Sequence, residues 1–584
     1  MTLATRLYGA MLTDEPAVTR ALDVRRDVAV RAPDGTLLLT DVYLASPGRP
    51  LPAILIRSPY GRRLAGTIAR LFAERGYHAV IQSTRGTFGS GGRVDFDAEA
   101  ADGRSAADWI VAQPWSDGTI GTFGGSYLSL TQLALASTRP PQLKAMALSV
   151  WGADRREYKY PGGAFTLEQA LGWAFTMEHQ ERPLGFLRAP LRGRRALTPA
   201  LGHLPLLDAD TVAVGHPVSF YRDWVTHDQP GDPYWAPTDF RPILKDLGVP
   251  VTMLAGWYDM FLPQMLADYR ELRDGGQDVR LRVGAWHHTS QGVLAHSIAD
   301  ALDWFGTHLL GRAPAAGQPR LRVEVMGGGG WRSLSEWPPP GTAAQRWHLH
   351  PGGALGTGDP ADSGPDRYTY DPADPTPSAG GATIASPGPV DNRTVEQRPD
   401  VLTYTSEPLA SPLLLTGPVT AELFAASSRP HTDFFARLCD VDPDGKSVNI
   451  TDGIVRLDAA TEEPQRVEID LWPTAHQFQA GHRIRLQVSS GAHPRYAPTP
   501  ATRATPEAAN RWRRRPPCTP RSRRSTTTAR TGRPSCCPSP LPDAPASAPR
   551  PLAFGERCGA NGEWRRPSSS AAGRLTGAGE PLGG

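Results

Sequence analysis

Cysteine is scarce in this chain: five occur in 584 residues. Only Cys439 lies before residue 501, and Cys518, Cys536, Cys537 and Cys558 crowd into the last part. No disulfide framework or zinc spacing emerges from them. Long apolar runs are also missing, so a membrane-spanning helix, which needs roughly 18 or more apolar residues, is excluded. Mean hydropathy is −0.36. The opening MTLATRLYGAMLTDEP has neither a continuous apolar core nor a small-residue cleavage site. No signal peptide is read, and a cytoplasmic location is the expectation. No repeat of fixed period is visible. Strong charge of one sign is absent from the first 500 residues, where 47 basic face 54 acidic residues. That mildly acidic balance argues against a nucleic-acid surface.

What is present is enough apolar sequence, 40%, for two to four packed domains. Residues 25–46 alternate apolar and polar around Pro33-Asp34-Gly35, which predicts a β-hairpin. Strands are expected at 52–58, 78–83, 120–123, 143–150, 250–257 and 279–286. Helices are expected near 64–75, 102–112, 127–138, 262–274 and 297–310. Strands alternating with helices predict an α/β fold with a parallel sheet. Residues 151–240 lack clear strands and read as a helical cap inserted into it. From about 318 the texture is all-β, with Gly, Pro and Asp turns, and a jelly-roll sandwich is expected. The resulting division is 20–150 with 241–315, the cap, a jelly roll over 316–496, and a tail over 497–584.

That tail fits none of these units. From Ala501 it carries 15 Arg, no Lys, 5 acidic residues and 13 Pro. A disordered basic arm is one reading; a slipped reading frame is the preferred one. Back-translated with GC-rich codons and read one base earlier, TTTARTGRPSCCPSP (526–540) becomes YHDGPHRPSVLLPVP, a turn followed by a strand.

Gly124-Gly125-Ser126-Tyr127 falls between a predicted strand and a predicted helix. A nucleophile elbow requires that context: small residues permit the sharp turn, and the helix N-terminus favours developing negative charge. The G-x-S-x-G pattern is broken by Leu128, and Ser126 could equally be a helix cap. A serine nucleophile needs a base, and the base an orienting acid. Asp259 follows the strand 250–257, and His287 and His288 follow 279–286. Active groups of open α/β sheets gather at such C-terminal strand ends. Alone, Asp259 reads as a helix cap and the His pair as an exposed loop; the order Ser, Asp, His favours a catalytic set.

These segments resemble the CocE/NonD family of serine hydrolases, which includes cocaine esterase-like enzymes, α-amino-acid ester hydrolases, glutaryl acylases and Xaa-Pro dipeptidyl-peptidases. The matching stretches are RSPYGRR (57–63), RGTFGSGG (85–92), AQPWSDGTIGTFGGSYLSLTQ (112–132), GWYDMF (256–261), VGAWHH (283–288) and the β segments of 401–490. The resemblance implies an α/β-hydrolase domain with a helical cap and a C-terminal jelly roll. It implies Ser126 as nucleophile, Asp259 as acid and His288, rather than His287, as base. Ser129 stands where the family's G-x-S-Y-x-G has its last Gly, and Ala285 where Pro is usual. Tyr60 resembles the oxyanion-hole tyrosine, with the Tyr127 amide as second donor. Trp151 and Phe261 are candidates for the acyl pocket, and for core. Arg85 reads as ion-paired in a structural loop near the site; the family often carries Asp where Ser83 lies, and the pairing through that position is open to loss.

Two motifs are set aside. The loop 85–92 lacks the G-K-[ST] ending of a phosphate loop. Asp440 to Gly445 imitates a calcium loop, but Thr451 replaces the twelfth-position Glu, so a β-turn is expected. The expected activity is cleavage of an ester or amide in a small molecule or short peptide, with no cofactor, metal, nucleic acid or membrane implied. An Xaa-Pro dipeptidyl-peptidase would need carboxylates for the substrate amine, and Glu157, Glu168, Glu178 and Glu181 are available in the cap. A catalytically silent β-sandwich binding protein is the alternative of another class. Oligomeric state is not legible.

Overall fold

Pro33-Asp34-Gly35 turns the first hairpin, with Gly35 at φ +88° and the Thr36 N–H donating to Asp34 Oδ1 at 3.0 Å. The computed structural model describes residues 15–182, 193, 195–314 and 317–499, with three short strands at 560–564, 574–576 and 579–581. The hairpin strands β1 (Asp23–Arg31) and β2 (Leu37–Leu44) open a ten-stranded sheet. It continues with β3 (Leu51–Ser58), β4 (His78–Ser83), β5 (Ser116–Gly125), β6 (Leu143–Ser149), β7 (Val251–Tyr258), β8 (Val279–His287), β9 (Leu321–Val325) and β10 (Gly330–Leu334). The spatial order is β1-β2-β4-β3-β5-β6-β7-β8-β9-β10, parallel from β4 through β9.

Both faces of this sheet are covered, so its strands are apolar throughout rather than alternating. In β3, Ile54 and Ile56 face the helices Arg62–Glu74 and Gln291–His308, meeting Phe72, Leu302 and Phe305. Ala53 and Leu55 face the other side, with Ile110 of Glu99–Val111 and Leu135 of Tyr127–Ser137. Leu262–Asp274 packs on that second side through Met265 and Leu266. Between β6 and β7 the cap helices Arg155–Lys159, Leu167–His179, Ala209–Val214 and Ser219–Thr226 bury Tyr221, Trp224 and Phe165.

The β-rich part holds three sheets. The largest runs His348–His350, Ala354–Gly356, Leu402–Ser406, Arg483–Ser489, Thr432–Val441, Ser447–Leu457. A second is built on Thr420–Ser427 and Gln465–Asp470, and a third on Leu413–Gly417 and Thr474–Phe478. The cap rests on the first of these sheets. Gly162 lies so close to Ile454 that a Cβ there would sit 1.8 Å from its carbonyl oxygen.

The sequence expectation differs from this architecture in several places, the short strands Asp366–Tyr370, Leu402–Ser406 and Thr474–Phe478 among them. LRVEV, read as the opening of the β-rich region, pairs parallel with β8, and β10 pairs with β9. The first sheet therefore runs past residue 315; local texture carries no information on which sheet a strand joins. The run 411–427 is two strands broken at Gly417, which has φ +123°. Ser447–Leu457 was not foreseen: Asn449, Asp452 and Gly453 interrupt its apolar pattern, and Gly453 is required where the Asp470 carbonyl would lie 1.7 Å from a Cβ. The calcium-like stretch is a hairpin turn, with the Lys446 N–H donating to Asp442 Oδ1 at 2.8 Å. Among the described residues no metal-binding group of three His, Cys, Asp or Glu occurs, and no helix is long and apolar enough to cross a membrane. The frame-slip segment 526–540 lies outside the described residues.

Candidate active site

The turn from β5 into the helix Tyr127–Ser137 forces Ser126 to φ 57°, ψ −130°, a strained conformation for a residue with a side chain. Gly124 makes the turn possible: it has φ +144°, and a Cβ there would lie 2.4 Å from the Leu128 Cβ. The Ser126 N–H donates to the Ser149 carbonyl at 2.9 Å, pinning the elbow to the end of β6. The Tyr127 N–H belongs to the first helical turn, where no acceptor exists within the helix.

Asp259 follows the last residue of β7 and is fully buried. Its Oδ1 accepts the Phe261 N–H at 2.8 Å, and its Oδ2 lies 2.7 Å from His288 Nδ1. Nε2 of the same imidazole lies 3.1 Å from Ser126 Oγ. A carboxylate on one ring nitrogen fixes the tautomer with the proton on Nδ1, leaving Nε2 to accept. His287 stands apart, half-buried, with Nδ1 3.3 Å from Thr289 Oγ1; burial lowers its pKa. The structure thus brings together Ser126, His288 and Asp259, and not His287.

Tyr60 follows β3. Its hydroxyl accepts the indole N–H of Trp173 at 3.1 Å. Burial raises its pKa, and the polar groups of Trp173 and Ser126 oppose the rise. Trp151 and Phe261 pack together at 4.8 Å between ring centroids, and the Phe261 ring lies 5.4 Å from that of His288. Phe261 is 1% exposed and Trp151 6%, so Phe261 has almost no surface to offer a ligand.

Behind the elbow lies a buried ionic layer. The Tyr127 hydroxyl donates to Glu99 Oε1 at 2.7 Å, and Arg57 Nη1 pairs with Glu99 Oε2 at 2.6 Å. Burial raises the pKa of Glu99, and Arg57 works against that rise. Arg85 is ion-paired, through Asp102 rather than position 83, in a two-pronged contact at 2.6 and 3.0 Å. Arg62 takes the Ser83 hydroxyl instead, at 2.7 Å. Trp173 and Glu99 escaped the sequence reading. Trp173 lies in the cap, where helical spacing says only which residues are buried, and Glu99 looks like an ordinary first-turn acid.

A strained serine at a strand–helix elbow, with an imidazole and a carboxylate in series on an α/β sheet, defines a serine hydrolase of the α/β-hydrolase class. Residues 34–290 match the X-Pro dipeptidyl-peptidase (S15 family), and residues 315–535 match the X-Pro dipeptidyl-peptidase C-terminal non-catalytic domain. Cocaine esterase from Rhodococcus sp. (strain MB1 Bresler) is 35% identical over 537 residues, covering 81% of this chain and 92% of its own length. An α-amino acid ester hydrolase structure superimposes with TM-score 0.71 at 21% identity, covering 97% and 99% of the two chains. A CocE/NonD family hydrolase from Staphylococcus aureus gives 0.65 at 15% identity, covering 97% and 95%. The chain belongs to the CocE/NonD family of serine hydrolases, built on the S15 peptidase domain and its C-terminal companion.

Proposed function

We propose that this chain hydrolyses carboxylic esters of small molecules through an acyl-enzyme on Ser126. The observation that carries the reading is the single imidazole of His288, in contact with Asp259 on one nitrogen and with Ser126 on the other. His288 takes the Ser126 proton through Nε2 as the oxygen attacks the ester carbonyl. Asp259 holds the imidazole orientation and stabilises the imidazolium. The Tyr60 hydroxyl and the Tyr127 N–H receive the oxyanion, each such donor being worth ~10²–10³ in rate. The imidazolium then protonates the leaving alcohol. Water, activated by the same Nε2, releases the acid. Trp151 borders the acyl group, with Phe261 as buried backing to His288.

A peptidase of the Xaa-Pro type needs ionised carboxylates free to hold the substrate's amine. Three of the four cap glutamates are otherwise occupied. Glu168 Oε1 accepts the Ala385 N–H at 2.7 Å, Glu181 Oε1 accepts the Phe88 N–H at 2.7 Å, and Glu178 lies 3.3 Å from His216. Glu157 is exposed on the short helix Arg155–Lys159. The occupation of the other three supports ester over Xaa-Pro amide. The test is a panel of p-nitrophenyl esters beside Gly-Pro-p-nitroanilide, with fluorophosphonate labelling read by intact mass. Ester turnover and one adduct on the Ser126 peptide, both lost in Ser126→Ala, are expected. Higher kcat/KM on the Xaa-Pro amide would overturn the ester reading, and labelling that survives Ser126→Ala would overturn the nucleophile.

A further inference from the structure

Trp173 belongs to the cap helix Leu167–His179, 113 residues from Tyr60 along the chain, yet its indole nitrogen lies 3.1 Å from the Tyr60 hydroxyl. An indole N–H can only donate. The phenolic oxygen is therefore the acceptor in this bond, and its own proton is turned away from the indole. Ser126 is the other polar group that acts on this hydroxyl. A phenol that accepts one hydrogen bond also becomes a stronger donor in the next.

The same indole stacks on the Tyr127 ring, with centroids 6.0 Å apart and planes 10° apart. It is further wedged by Phe220 at 4.9 Å and Trp224 at 5.5 Å. The end of the cap helix is tied down nearby. Gln180 Nε2 donates to the Pro59 carbonyl at 2.9 Å, one residue before Tyr60, and Glu181 accepts the Phe88 N–H. One cap side chain thus touches both residues that carry the oxyanion donors.

We propose that Trp173 is a positioning residue, whose indole N–H aims the Tyr60 hydroxyl at the oxyanion and so makes catalytic power depend on the seating of the cap. The proposal rests on the reading of Tyr60 as an oxyanion donor. It predicts that Trp173 acts on kcat through Tyr60 and not through substrate affinity.

A double-mutant cycle on p-nitrophenyl butyrate hydrolysis tests it. Tyr60→Phe is expected to lower kcat by ~10²-fold. Trp173→Phe, which keeps a ring but loses the donor, is expected to lower kcat about five- to thirtyfold, a fraction of that effect, with KM changed less than about twofold. In the Tyr60→Phe background the same change is expected to do nothing further. Placing β-(3-benzothienyl)alanine at 173, which keeps the bicyclic shape and replaces N–H by sulfur, should reproduce the loss even if the Phe variant folds poorly. Independent losses in the double mutant, or full activity with the benzothienyl side chain, overturn the proposal while leaving Tyr60 in place. An unchanged kcat for Tyr60→Phe overturns the oxyanion reading itself, and the proposal with it.

Discussion

The hydroxyl of Ser129 donates to the carbonyl of Gly124 at 2.7 Å and accepts the Ser149 N–H at 3.1 Å. A side chain at this position, where the family pattern has glycine, thus laces the elbow to β6 from behind, and Ser126 Oγ is untouched. Removing it takes this bond from the buried Ser149 N–H, at about 1–3 kcal/mol, while the Gly124 carbonyl keeps the Gln132 amide at 3.0 Å. Ser129→Ala is expected to lower the thermal midpoint while kcat per folded molecule stays within about twofold, since the oxygen stands outside the reacting atoms. Calorimetry beside active-site titration separates the two quantities, and a lost kcat at unchanged stability would contradict this role.

Adjacent histidines give the sharpest contrast in the site. His288→Ala removes the imidazole that reaches Ser126, and kcat is expected to fall on the order of 10⁴-fold or more. His287→Ala deletes a half-buried ring whose nearest polar partner is Thr289, and activity is expected to change less than about threefold. Steady-state ester hydrolysis of the two variants decides the register. Equal losses would mean that the loop, rather than one ring, carries the effect.

Gly124 is where sequence and strain meet. Any Cβ there collides with Leu128 and must also adopt a left-handed backbone that L side chains avoid. Gly124→Ala is expected to abolish fluorophosphonate labelling and to cost several kcal/mol of stability, because either the elbow opens or the helix Tyr127–Ser137 shifts. Adding Leu128→Ala relieves the collision but not the φ of +144°, so only part of the stability should return. Full recovery of labelling in the double variant would show that φ is no constraint.

Much of this was legible in the sequence where the local chemistry is self-sufficient. The strand His78–Ser83 and the helix Leu262–Asp274 fall where periodicity put them, because fully buried strands and amphipathic helices declare themselves over a few residues. Ser126, Asp259 and the pair His287–His288 were visible because the elbow and the strand ends fix their places along the chain before any contact is known, and the resemblance singled out His288. Trp173 and Glu99 were not, because their importance lies in partners 113 and 28 residues away. Leu321–Val325 was assigned to the wrong sheet for the same reason: a strand's partner is a tertiary fact.

The last well-packed segment before the tail carries a cost. Among the described residues, Arg495 Nη2, Tyr496 Oη and Thr499 Oγ1 are buried and find no hydrogen-bond partner. Such groups are rare in folded chains and cost about 1–3 kcal/mol each. Were the frame slipped between Tyr496 and Thr526, as the sequence reading proposes, a chain with that frame restored would supply a different continuation at this point. It is expected to melt several degrees higher and more cooperatively than the present chain. Superimposable melts would mean that these atoms find their partners in water and that the tail is no burden.

Asp268 gives the fold a pH dependence separate from catalysis. Burial pushes its carboxyl up to about 8, against the pull of the Ala153 N–H, which it accepts at 2.7 Å. In the unfolded chain the same group titrates near ~3.9. Between those values the folded state binds the extra proton, so stability declines as pH rises from about 4 and the contribution is lost once pH passes about 8. The carboxyl joins the segment just after Trp151 to the helix just after Asp259, so the loss is felt beside the active site. Asp268→Asn keeps an oxygen for the Ala153 N–H and removes the titration. Its melting temperature is expected to match the parent near pH 5 and to exceed it at pH 9. Because every other titrating group is common to both chains, the difference between the two curves isolates Asp268, and parallel curves would refute a raised carboxyl at this position.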